Sequence, residues 1–215
     1  MSVHKTVAAL TAVGLLAGCS FPSPPHSSMI AIEPVRAPVN GTLGAVKEQT
    51  VGVLYSADTG ADLDYLRRYH HHAMSSLEGH LLIAEIRQGY ADSAHAQATL
   101  TAIEQSIARH LPKAQFYPNQ AALDQSSPDI IVIVHTHHVL LTPRTSEVRA
   151  DYVADFFERS HRYLGRAEAH QALTMPALWT HNQRTEQIVS QLEEQQALQG
   201  RAMDEFDASL SRLAR

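Results

Sequence analysis

Histidine offers this chain its most unusual chemistry: 14 of 215 residues, with two clusters at His70-His71-His72 and His135-Thr136-His137-His138. The second cluster follows an apolar run, Ile130 to Val134, that predicts a strand. Successive strand side chains point to opposite faces, so His135 and His137 share one face and His138 looks to the other. Two imidazoles at that spacing, with His170 from a later strand as a third ligand, match the donors of a Zn²⁺ or Cu²⁺ site. The competing reading, histidines on a sheet surface or edge, is favoured because no cysteine or carboxylate at fixed spacing completes the set. Three adjacent histidines cannot all face one ion on regular structure, so His70 to His72 are expected to form a solvated or pH-responsive patch.

Other chemistries find less support. There is no GxSxG elbow, and no serine stands at a telling distance from a base. Neither a P-loop nor a GxGxxG loop is present, so nucleotide binding has no motif. The carboxylate pairs Glu193-Glu194 and Asp204-Glu205 fall on a polar helical stretch and are expected on its solvated face. Tyr152, Phe156 and Phe157, with Trp179, are either a recognition patch or core, and aromatics at strand spacing are usually core. A net charge of −5 without a Lys/Arg cluster argues against nucleic acid, whose phosphates demand a basic face.

The N-terminus carries a different kind of signal. His4 and Lys5 precede an uncharged apolar stretch, Thr6 to Leu16, which as a helix would be roughly 17 Å long, short of a ~30 Å hydrocarbon core. It suits a removable export signal better than a permanent span. Leu16-Ala17-Gly18-Cys19 follows directly and resembles the lipobox of bacterial lipoprotein precursors. That resemblance implies cleavage between Gly18 and Cys19, a diacylglycerol on the Cys19 thiol and acylation of the new amine. It also implies, through Ser20 rather than Asp at the second mature position, sorting to the periplasmic face of the outer membrane. Cys19 is the chain's one cysteine, so no disulfide competes for it. Two or three acyl chains at ~0.8 kcal/mol per buried methylene would hold the chain permanently.

Half of the ten prolines (Pro22, Pro24, Pro25, Pro34 and Pro38) lie in the next segment, mixed with serine, asparagine and glycine. Such a stretch buries too little apolar surface to offset its ordering entropy, so residues 19–49 are expected to form a tether. At ~3.1 Å per residue it could hold the domain roughly 90 Å from the bilayer.

Residues 50–215 then predict one α/β (α+β) domain, a mixed sheet with a packed helix and a long C-terminal helix. Val51 to Tyr55 and Asp129 to Leu141 are strands, the second apolar on both faces and therefore central. A helix is expected around Leu63 to Tyr69, and a further strand at Leu81 to Arg87. From an N-cap at Ser93, Ala96, Leu100, Ile103, Ile107 and Leu111 recur at helical spacing until Pro112 ends the helix. Val148 to Phe156 and Ala167 to Met175 alternate apolar with polar and turn at Ser160-His161-Arg162, a hairpin with one covered and one wetter face. In Thr180 to Ala214, apolar residues at both ends of a heptad seam flank a polar middle, Gln196 and Gln199. That pattern favours docking on the sheet over an autonomous coiled coil. This element order resembles the periplasmic α/β domains of the curli-secretion lipoprotein and of the Tol-system propeller protein's N-terminal region.

Together these readings lead to a non-enzymatic, lipid-anchored envelope protein, an assembly or accessory factor with a protein partner. A periplasmic metal binder using His135, His137 and His170 is the alternative. An enzyme ranks third.

Overall fold

The computed structural model describes residues 21–26, 49–142, 145–176 and 184–214. Five strands form one mixed sheet in the order β2-β1-β3-β4-β5. β1 (Val51–Tyr55) lies parallel to β2 (Ala114–Phe116) and to β3 (Ile130–Val139), whereas β4 (Glu147–Glu158) and β5 (Tyr163–Thr174) complete an antiparallel meander. The run read as a central strand occupies the middle of the sheet, and α/β describes the whole.

One face is deeply covered. α1 (Ala57–Ser75), α3 (Ala84–Asp92), α4 (Ala96–His110) and α6 (Thr185–Leu213) close over it, and the short α2 (Leu77–Leu81) follows α1. Tyr65, Tyr69, Tyr90, Ile107 and Phe206 are fully buried there with Val132, Val134 and Phe156. Each such aliphatic or aromatic side chain contributes about 1.5–3 kcal/mol by leaving water.

On the other face, α5 (Gln120–Ser126) packs Leu123 onto Leu54 and Ile131. Gly52 permits this approach: a Cβ there would collide with a Leu123 methyl and stand 2.7 Å from Pro128. Beyond α5, no other described helix lies over this face along β3, β4 and β5.

α6 docks on the sheet as its interrupted seam predicts. Leu192, Phe206 and Leu210 are buried at its two ends, and the polar middle has its own partners. Gln199 donates to the Ser93 carbonyl (3.0 Å) and Gln196 to that of Gly89 (3.5 Å), while Gln195 accepts from the Leu141 N–H (2.5 Å).

Several expectations change. Leu81 to Arg87 is not a strand; it spans the end of α2 and the start of α3, where Ile86, Tyr90 and Ala91 supply the buried face. Ser93 ends α3 instead of starting α4, its hydroxyl donating back to the Gly89 carbonyl (2.8 Å), and His95 stands at the N-cap of α4. The helix expected at Leu63 to Tyr69 runs from a Ser56 cap to Ser75. The hairpin turn is where it was expected, with His161 in the left-handed region at φ 66°.

Of the proline-rich segment, residues 21–26 are described. Phe21 packs among Tyr69, His72 and Tyr90, with ring centroids 5.0, 4.4 and 4.9 Å away. An aromatic side chain brings enough apolar surface to dock, and Pro22, Pro24 and Pro25 beside it are half-buried as well.

Candidate functional site

β1 ends beside Val134, so among the described residues the β1-side edge of β3 from Thr136 onward has no strand partner. α1 takes over that edge with side chains spaced three and four apart on one helical face. The Thr59 hydroxyl donates to the Val134 carbonyl (2.8 Å) and accepts from the Thr136 N–H (3.0 Å). Asp62 accepts from the His138 N–H (2.8 Å), and the Tyr65 hydroxyl from the Leu140 N–H (3.1 Å). Tyr69 donates to the Leu141 carbonyl.

Asp62 is the centre of this arrangement. Its Oδ2 also accepts from the Thr136 hydroxyl (2.7 Å) and lies 2.7 Å from His138 Nδ1, while His138 Nε2 lies 3.0 Å from the Tyr152 hydroxyl. Burial opposes the Asp62 charge, but His138 and these hydrogen bonds outweigh it and hold the carboxyl below its ordinary range. Burial pushes the Tyr152 hydroxyl up, so it remains a donor. An imidazole that donates from Nδ1 to Asp62 and accepts at Nε2 from Tyr152 satisfies every polar group. Aspartate, histidine and hydroxyl in sequence have the composition of a catalytic relay, yet all three residues are buried in the core. Their present use is to join α1 to β3 and β4.

The second constellation lies on the face that carries α5, beyond the part that α5 covers. Cross-strand register sets His137, Asp151 and His170 in one row across β3, β4 and β5, and places Asp155 opposite Arg166. His170 Nδ1 is 3.0 Å from Asp151 Oδ1, and Arg149 Nε donates to Asp151 Oδ2 at 2.6 Å. Arg166 grips Asp155 through two hydrogen bonds of 2.8 and 3.0 Å. Glu168 stands 3.6 Å from His170 Nε2. Asp151 and Asp155 are only 2% and 4% exposed, because these longer partners close around them.

His135 reaches Asp155 at 3.6 Å through Nε2, while its buried Nδ1 has no hydrogen-bond partner. Desolvation lowers its pKa below the ordinary histidine value against the pull of Asp155 and Asp58, and it does the same to His137 against Asp62 and Asp151. At 3.6 Å the carboxylate is too distant to offset the loss of water. Both rings therefore favour the neutral, metal-competent form.

Compared with protein-family models, curated proteins and solved structures, the chain matches none.

The structure thus brings His135, His137 and His170 to one face, and places His138 in the core. Asp151 intervenes between His137 and His170, and among the described residues no group of three histidine, cysteine or carboxylate side chains is arranged to hold a metal. His70 to His72 do not form one patch: His70 Nδ1 is 3.1 Å from the Ala91 carbonyl, His72 packs against Phe21 with its ring tilted, and His71 is exposed. Tyr152 and Phe156 are core, whereas Phe157 is half-buried on the other face. Gly18, Cys19 and Trp179 lie outside the described residues. Sequence reasoning missed Asp62, which lies 76 residues from His138. The opposite signs of Asp155 and Arg166, each on the wetter face of the predicted hairpin, were the available signal for the array.

Proposed function

We propose that this chain is a lipoprotein held by Cys19 on the periplasmic face of the outer membrane, and that it acts without catalysis as an assembly or accessory factor of an envelope system. Its working surface is the β3–β5 face, and an envelope protein is the partner. The observation that carries this reading is the ion-paired platform itself. Asp151 and Asp155 are each tied to arginine, so the face presents charges of both signs in fixed positions. Charges held in place in this way favour specificity in protein association. A photo-crosslinking amino acid at exposed Glu168, compared with one at exposed Ala108 on α4, tests it in intact envelopes. A reproducible adduct from position 168 alone is expected. Absence of adducts, or the same adducts from both positions, contradicts the assignment.

One observation favours a second reading, periplasmic binding of Zn²⁺ or Cu²⁺ by His135, His137 and His170. His135 Nδ1 is a buried nitrogen without a partner, on the face that also carries the other two rings. Metal binding would have to displace Asp151 from His170. Equal metal content in the purified chain and in its His135→Ala/His137→Ala variant excludes it.

A further inference from the structure

The molecule has two distinct ends. β3 runs upward to Leu141, α1 runs alongside it, and α2 follows at the same end, while the β4–β5 turn at Ser160 lies at the other. Four large hydrophobic residues are exposed among the described residues: Met74, Leu81, Ile83 and Leu173. All four are at the upper end, with Leu81 86% exposed and Leu173 opposite Val148 where β4 begins. Single exposed hydrophobics are ordinary, but their restriction to one end makes that end the part of the molecule suited to apolar contact.

Phe21 indicates what covers it. Its ring is seated against Tyr69 and His72 of α1 and Tyr90 of α3, at this same end. Cys19 precedes it by two residues, and two peptide units span at most about 7 Å whatever their conformation. Acyl chains on Cys19 would therefore enter the bilayer beside the exposed apolar residues, not at the far end of a long tether. Next to the docked segment, Pro22, Arg67, Arg68 and His71 line an open groove in which Arg67 is paired with Asp64 and Arg68 is exposed.

We propose that the upper end lies directly on the lipid surface, with Leu81 and Ile83 in the headgroup boundary and Arg68 at phosphate level, so that the strands stand upright on the membrane. This rests on acylation of Cys19. An amphipathic surface of this kind enters about 5–10 Å into the headgroup and acyl boundary. The β3–β5 face would then look sideways along the membrane instead of projecting freely into the periplasm.

The test uses the full acylated lipoprotein reconstituted in phosphatidylethanolamine–phosphatidylglycerol vesicles. Cys19 is the single cysteine, and its acylated thiol cannot react, so Leu81→Cys, Ile83→Cys and Ser160→Cys each accept one environment-sensitive fluorophore. All three positions are exposed, and the substitutions leave the core intact. Blue-shifted emission at positions 81 and 83, quenched several-fold more by bilayer-borne nitroxide than emission at position 160, is expected. Mass spectrometry of the same samples separates the two ways of failing. Acylated protein with equal, weak quenching at all three positions overturns the membrane contact alone; protein without acyl groups overturns the anchor, and the contact with it.

Discussion

Asp62 shows how one side chain can decide a fold's coherence. It accepts a backbone N–H, a hydroxyl and an imidazole within 2.8 Å while fully buried. Asp62→Asn turns one acceptor oxygen into a donor and loses charge-assisted hydrogen bonds worth about 1.5–3 kcal/mol each, so it is expected to lower unfolding stability by at least that amount in a urea titration. Because its folded pKa is depressed, this stability is present above the unfolded value of ~3.9 and is lost as pH falls through the lower folded value. The gap between wild type and variant should therefore narrow in strong acid. His135 and His137 act higher on the scale. Burial lowers both, so the unfolded chain takes up protons first as pH drops below ~6.5, and stability falls with it. His135→Gln/His137→Gln should flatten this limb between neutral and mildly acidic pH; an unchanged slope would assign it to other groups.

At the level of elements, two glycines make opposite predictions. Gly52→Ala drives a methyl into Leu123 and Pro128 and should destabilise by about 1–3 kcal/mol. Gly200, within α6, has open space where a methyl would stand, with nothing within 4 Å, so Gly200→Ala should stabilise by about 1 kcal/mol. Thermal melting of both variants checks the pair. These elements also mark where the sequence was legible. β4, β5 and α4 show apolar periodicity, β3 a continuous apolar run and α6 an interrupted seam, and these patterns place them. α1 was seen only in part because its buried face includes Thr59 and Asp62, polar residues that erase the stripe. The apolar density of Leu81 to Arg87 suggested a strand, but Leu81 and Ile83 face outward and only Ile86 is buried. Three-residue β2 and seven-residue α5 are too short to carry a period. Of the site, the shared face of His135, His137 and His170 was legible from alternation. The Asp62 contact was not, since it depends on how α1 packs.

At the scale of the whole molecule, three features point the same way: a sheet covered by helices on one face, an ion-paired platform on the other, and an apolar end where Phe21 docks. No helix among the described residues is long and apolar enough to cross a membrane; the proposed attachment is the lipid on Cys19. Phe21 docks on α1 and α3, so in the proposed arrangement an anchor on Cys19 would stand close to the domain. Mass spectrometry of the N-terminal peptide from envelope-purified protein tests the central claim most directly. The account predicts a chain beginning at Cys19 with diacylglycerol on the thiol and an acyl group on the amine. An unmodified Cys19, or a chain still carrying residues 1–18, would contradict it.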